Sequence, residues 1–481
     1  MKRTGRRLAA LFPVLLLTCA SVVVSQGSSD RLRLGPCKIP GTNDTARCGI
    51  FTVFENRATG TGRNIDLNLV VIPARSANPR PDPVVWLAGG PGAAATRAAP
   101  GIRNAWFRAD RDIVLVDQRG TGASNPLDCE LHDSDDLQFY LDPLFRVEIF
   151  EPCRDKLAKA ADLSQYTTPI AMDDLNEVRA ALGYEKINLM GGSYGSRAAL
   201  IYMRRHPETV RSAILEGVTP IAFRNPLYHA YEAQRALEEI FRQCAADPAC
   251  GAAFPDLREE FDAVIARLEA QPARVTFTEG DTGERVELEL SRYGFAEALR
   301  TTLYYMPGAR DAPLLIHRAY QGDYEFFVRI GLRSNIGITN ALALGMLLSV
   351  TCPEDLARID PGEIPALTDG TFLGPDRVRN QMAVCAIWPA GDVPEGYGEP
   401  VAVDVPTLIF SGTLDPVTPP RWGDETARHL PNSLHVVAPG AHGLGGSCIT
   451  GIERQFLETA SVEGIDTSCV KEMSLPPFRT Q

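Results

Sequence analysis

The spacing of apolar and polar positions divides the chain into stretches of different character. Residues 48–57 and 64–74 read as strands, with a turn at Gly60-Thr61-Gly62 between them. Two apolar runs follow, Val84-Val85-Trp86-Leu87-Ala88 and Ile113-Val114-Leu115-Val116. Both lack polar alternation, as expected for strands covered on both faces. Ala171 to Leu182 predicts a helix, with Asp173 and Asp174 early and Gly183 as a stop. A strand is expected over Lys186 to Met190, a helix over Ser196 to Arg205 and a strand over Arg211 to Leu215. Strand, helix, strand, helix, strand is the signature of a parallel sheet with crossover helices.

After Gly217 the pattern changes. Amphipathic helical segments such as Tyr228 to Cys244 and Leu257 to Ala270 dominate, with a hairpin expected over Val275 to Leu290. Sheet patterning resumes at Pro406 to Gly412 and at Ser433 to Val437. The expected class is therefore α/β, a mostly parallel central sheet flanked by helices. Residues 30–220 form the first part of the core, 221–400 an inserted, largely helical cap, and 401–481 the C-terminal part.

Bulk properties narrow the function classes. The chain has 481 residues, longer than an ordinary single domain, with 44% hydrophobic and 22% charged residues, as in soluble globular proteins. A formal net charge of −12 argues against nucleic acid as a partner, because binders of polyanions present a basic face. Lys2, Arg3, Arg6 and Arg7 precede a mostly apolar stretch from Leu8 to Val24, which reads as an export leader over residues 1–25. The stretch is short and interrupted by Pro13, so no stable membrane span is expected. Leu16-Leu17-Thr18-Cys19 faintly resembles a lipoprotein box; Thr18 stands where a smaller residue is usual, which makes a lipid anchor at Cys19 the minor reading.

Of 11 cysteines, ten lie beyond the leader, an even number that suggests disulfides in an exported chain. The simplest pairing joins neighbours: Cys37 with Cys48, Cys129 with Cys153, Cys244 with Cys250, Cys352 with Cys385, and Cys448 with Cys469. No C-x-x-C pair or adjacent histidine pattern supports a metal. Neither a metal nor another cofactor is expected.

The chemistry concentrates at Gly191-Gly192-Ser193-Tyr194-Gly195, which follows a strand and opens a helix. In that context G-x-S-x-G lifts a serine hydroxyl above the sheet edge. A serine hydroxyl is a poor nucleophile without a base to take its proton. Asp415 follows the strand at 407–411, and His442 lies in the loop after the last expected strand. In the order Ser, Asp, His, His442 would move the proton and Asp415 would fix its tautomer. Asp404 precedes its strand and so lies at the wrong end; His206 and His435 fit structural roles, and His132, His229, His317 and His429 lack a glycine-rich strand-end context. Donors for a tetrahedral oxyanion are expected from the N–H groups of Tyr194 and of Gly90 in Gly89-Gly90-Pro91-Gly92.

Together Leu87-Ala88-Gly89-Gly90-Pro91-Gly92, Val116-Asp117-Gln118-Arg119-Gly120-Thr121-Gly122-Ala123-Ser124 and the serine motif resemble the prolyl iminopeptidase and tripeptidyl aminopeptidase branch of the α/β-hydrolases. The chain is most similar to the secreted bacterial tripeptidyl aminopeptidases; prolyl iminopeptidases usually carry His where this chain has Ala88. The resemblance implies a serine exopeptidase acting on peptides with a free N-terminus. Such an enzyme must neutralise the substrate ammonium with buried carboxylates. Glu354, beside a Cys352–Cys385 bridge, is the first candidate, and Glu216, at the end of the strand after the serine, is the second. A carboxylesterase using the same triad is the alternative; a non-catalytic interaction module would not need an intact triad, and an epoxide hydrolase would need a carboxylate nucleophile.

Overall fold

The computed structural model describes residues 31–131, 136–280 and 283–481. The expected leader, Cys19 and His132 lie outside the described residues. Among those described, no helix is long and apolar enough to cross a membrane.

Nine strands form one sheet: β1 (Leu32–Lys38), β2 (Thr45–Phe54), β3 (Asn64–Ile72), β4 (Val84–Leu87), β5 (Ile113–Val116), β6 (Ile187–Gly192), β7 (Val210–Glu216), then, far along the chain, β10 (Thr407–Gly412) and β11 (Ser433–Ala438). Their order is β1-β2-β3-β5-β4-β6-β7-β10-β11. From β5 to β11 all pairings are parallel, whereas β1, β2 and β3 join antiparallel at one edge. The central strands are the non-alternating apolar runs, and β5 and β10 are buried along their whole length. β1 has no counterpart among the expected strands. Its sequence LRLGPCK carries Gly35 and Pro36, which an edge strand tolerates because one side of its backbone needs no partner.

Chain direction diverges around β4. The next strand, β5, pairs on one side of it, and β6, β7, β10 and β11 follow on the other. Loops after β4 and β6 therefore meet at a topological switch point, where ligands of open α/β sheets bind.

Between β7 and β10 the chain adds no strand to this sheet; β8 (Ala273–Thr278) and β9 (Arg285–Leu290) pair only with each other. Residues expected as one cap over 221–400 are shared among several cores. The helices from His229 to Thr339 enclose a core of their own with Leu237, Phe261, Phe295 and Phe327, joined by Phe139, Tyr140 and Leu141 from earlier in the chain. Met346, Leu348, Val384 and Trp388 pack instead into the core of the large sheet, whereas Phe372 and Leu373 return to the helical core. The helix Leu344–Glu354 is buried on every side, so its sequence shows no polar face that would have separated it from the cap.

The structure joins Cys37 to Cys48, Cys129 to Cys153, Cys244 to Cys250, Cys352 to Cys385 and Cys448 to Cys469, the same five neighbouring pairs.

Candidate active site

Ser193 sits between β6 and the helix Tyr194–Arg205, with φ 54° and ψ −129°. A non-glycine residue held there stores on the order of 1–3 kcal/mol of backbone strain, so surrounding bonds must fix it. The Ser193 N–H donates to Glu216 O (2.9 Å), and Ser193 O accepts from Ser196 Oγ (2.5 Å) and Thr219 Oγ1 (2.7 Å). The flanking glycines answer a steric need. A Cβ on Gly195 would fall on the Leu87 carbonyl oxygen, and one on Gly191 on the Gly195 carbonyl oxygen.

Asp415 and His442 come from the loops after β10 and β11. Asp415 is fully buried. Its Oδ1 accepts from the N–H groups of Val417 and Thr418 (both 2.8 Å), and its Oδ2 accepts from Thr418 Oγ1 (2.8 Å) and lies 2.8 Å from His442 Nδ1. Burial alone would raise the Asp415 carboxyl; the adjoining His442 and the two N–H donors hold it below its ordinary value. Burial pulls the His442 imidazolium down, but Asp415, then Glu216, favour its charge more, so its pKa lies above the usual 6.5. The helical segment also grips both loops. Arg235 donates to the carbonyls of Thr413 (3.1 Å) and Asp415 (2.6 Å), and Tyr304 O accepts the His442 N–H (3.0 Å).

Gly89, Gly90, Ser193, Tyr194 and His442 line one cavity of about 320 Å³. That volume suits a small-ligand pocket. Gly90 has φ 113°, open to glycine alone among common residues. Tyr194 is the first residue of its helix, so its N–H has no intrahelical acceptor.

The two glutamates expected to receive an ammonium lie elsewhere. Glu354 is fully buried and does not line the cavity. It accepts from Thr168 N (2.5 Å), Thr168 Oγ1 (2.8 Å) and Tyr397 OH (2.5 Å), while Thr168 Oγ1 also meets Tyr194 OH (2.8 Å). Its acceptor positions are taken up in bracing the scaffold behind Tyr194. Glu216 accepts the N–H of Leu444 and so anchors the histidine loop. Neither residue lines the cavity.

Asp355 and Glu297 line the cavity, each with one oxygen paired to arginine and the other buried without a protein partner. Asp355 Oδ1 lies 2.6 Å from Arg197, and Glu297 Oε2 lies 2.8 Å from Arg300. Asn225 Oδ1 and His229 Nδ1 also line this space unpartnered, and burial, then Arg300 and Arg377, hold His229 neutral. None of these residues follows a sequence signature, although Asp355 is the next residue after Glu354. Thr418 has one in retrospect: a threonine three residues after Asp415 is spaced to close a side-chain turn on it.

The Asp-Gln-Arg-Gly-Thr-Gly stretch serves as framework. Asp117 accepts from Thr96 N (2.8 Å), Thr96 Oγ1 (2.9 Å) and Asn68 Nδ2 (2.8 Å); Arg119 is buried and bonded twice to Asp174 (2.6 and 3.0 Å).

A serine on a strained strand-to-helix turn, sharing a cavity with a histidine held by a buried aspartate, is the arrangement of a serine hydrolase of the α/β-hydrolase fold, and this chain is one. Two family models match it: "alpha/beta hydrolase fold" over residues 82–241 and "TAP-like protein" over residues 371–469. The chain is similar to serine protease Hip1 of Mycobacterium tuberculosis, 25% identical over 92% of each chain. It is also similar to a probable proline iminopeptidase of Streptomyces coelicolor, 35% identical over 29% of this chain and 34% of the relative. A proline iminopeptidase of Neisseria gonorrhoeae is 33% identical over 30% of this chain and 34% of the relative.

Proposed function

We propose that the chain is an exported serine exopeptidase that hydrolyses peptide bonds near a free N-terminus, with Ser193 as nucleophile, His442 as general base and Asp415 as its orienting acid. The observation that carries the chemistry is the pairing of His442 Nδ1 with buried Asp415 at 2.8 Å, on the cavity that Ser193 also lines. With Nδ1–H given to Asp415, Nε2 is left basic. It takes the Ser193 proton as Oγ attacks the acyl carbon. The oxyanion is received by the N–H groups of Gly90 and Tyr194, and His442 then protonates the departing amine. Water, activated by the same base, releases the acyl group from Ser193.

A peptide substrate is supported by the likeness to a serine protease along 92% of the chain. A free N-terminus is supported by the acceptors Asp355 Oδ2, Glu297 Oε1 and Asn225 Oδ1, open for ammonium protons. A carboxylesterase would have no use for them. Residues 229–339 act as the cap that closes the site to internal chain segments. Export is supported by the expected leader and by five disulfides, which persist in oxidising compartments.

The test compares peptide amides bearing free and acetylated N-termini. Free-amine substrates are expected to be turned over and blocked ones to be poor. Ser193→Ala is expected to lose activity by on the order of 10⁴-fold or more. Equal turnover of free and blocked peptides would remove the exopeptidase assignment, and an active Ser193→Ala would remove the triad.

A further inference from the structure

Charges lining the cavity are not all paired. Asp355 is paired with Arg197, Glu297 with Arg300, and Asp142 lies 3.7 Å from Arg146. Arg377 remains. It projects from the helix Asp376–Cys385 and lines the same cavity as Ser193 and His442. Its guanidinium carbon stacks 4.1 Å from the centroid of Phe145, and its Nε is buried without a protein partner. Among the described residues it has neither an ion pair nor a hydrogen bond. An arginine stays charged at any working pH, so a partly buried guanidinium with no anion is costly to keep. Burial depresses its pKa, and Glu297, which is also paired with Arg300, only partly offsets that.

We propose that Arg377 is a specificity residue that receives a carboxylate of the substrate, supplied either by an acidic side chain or by the free C-terminus of a short peptide. The flat face of the guanidinium is held by Phe145, which leaves its N–H edge for the two oxygens of a carboxylate. The aromatic support fixes the fork before the ligand arrives, which reduces the entropy lost on binding. Tyr304 connects this charge to the reaction centre. Its ring meets His442 edge-on at 5.2 Å, and its hydroxyl accepts from Arg300 (2.9 Å); burial raises its pKa, which Arg300 and then Arg377 offset in part. A carboxylate on Arg377 would therefore lie within the same pocket as the acyl group undergoing attack.

The proposal rests on acyl transfer by Ser193 and stands apart from the exopeptidase assignment, so its test includes esters. A neutral p-nitrophenyl butyrate and an anionic p-nitrophenyl hemisuccinate are compared by kcat/KM. Short peptides are compared with Glu against Gln at each position, and with a C-terminal acid against an amide. The anionic-to-neutral ratio is expected to fall about ten- to hundredfold in Arg377→Gln, the range of a charged hydrogen bond, and by less in Arg377→Lys. Loss of the Glu-over-Gln preference identifies the side chain as the source; loss of the acid-over-amide preference identifies the terminus. Both members of each pair losing equally would overturn the proposal. Wild-type enzyme supplies an arm that does not depend on the variants folding. Glutarate should compete with the neutral ester and glutaramide should not; equal inhibition by the two would also overturn it.

Discussion

Two buried polar clusters adjoin Tyr194, and they are built on opposite terms. In the cluster of Glu354, Thr168 and Tyr397, donors meet acceptors: the Glu354 carboxylate takes three hydrogen bonds, and Thr168 Oγ1 accepts from the Tyr194 hydroxyl. Along the cavity, Glu297, Asp355, Asn225 and His229 each leave one buried polar atom without a protein partner. Folded chains pair nearly all their buried polar groups, so a run of exceptions along one wall marks where something else supplies the partners. A perturbed pKa would have pointed the other way. Burial, reduced by the Tyr397 and Thr168 bonds, pushes Glu354 up to about 7, a value often taken as a sign of function. Hydrogen-bond saturation separates the two cases where the pKa does not.

The largest expected effect falls on the saturated side. Glu354→Ala strands the Thr168 N–H, the Thr168 hydroxyl and the Tyr397 hydroxyl in the interior. Each orphaned group costs about 1–3 kcal/mol, so a loss of roughly 3 kcal/mol or more is expected, read as a lower denaturation midpoint. The ratio of free-amine to blocked-amine turnover, measured on the folded fraction, should not change. A changed ratio would show that Glu354 does communicate with the substrate's N-terminus, and the contrast between the clusters would fail.

Next in size is Glu297→Gln, on the unsaturated side. The amide keeps an oxygen for Arg300 but removes the negative charge facing the cavity. Turnover of free-amine peptides relative to blocked ones should fall about ten- to hundredfold, with a smaller change in denaturation midpoint than Glu354→Ala produces. If the midpoint falls as far as for Glu354→Ala while the ratio holds, Glu297 is framework too.

This contrast also explains what the sequence disclosed. The serine turn was legible because its requirements are local: a strand, glycines at fixed offsets where carbonyls crowd, then a helix. Asp415 and His442 were legible because each directly follows a strand, and parallel strands deliver their ends to one rim. The cavity wall had no such marker. It is assembled from the helix Arg292–Thr302, the turn after the helix Leu344–Glu354 and the helix Asp376–Cys385, which meet only in the folded state. The Cys352–Cys385 bond did direct attention to the right segment, but onto Glu354 rather than Asp355. Adjacent residues at a helix end point to different sides, and two consecutive acids offer no periodicity from which to choose. The same gap hid Arg377, since a surplus charge exists only once every other pairing is known.

The smallest effect concerns Glu216, which accepts the Leu444 N–H and is close enough to His442 to raise its pKa. In the proposed role of general base His442 must be neutral, so kcat/KM should rise with pH through an apparent pKa above the usual 6.5. A carboxylate stabilises the imidazolium, and removing its charge must lower that pKa. Glu216→Gln retains an oxygen for the Leu444 N–H and removes the charge, so the acid limb should move to lower pH by roughly a few tenths of a unit. The plateau rate should fall little, because the loop keeps its anchor. A fall in plateau with an unmoved limb would mean that the hydrogen bond to Leu444, and not the charge, is what Glu216 contributes. Burial raises the Glu216 carboxyl above its ordinary 4.5, so it charges later than a surface glutamate. Because a charged Glu216 favours a charged His442, the wild-type limb should be shallower than a single titration if the two groups ionise over the same interval, and the glutamine variant should restore unit slope.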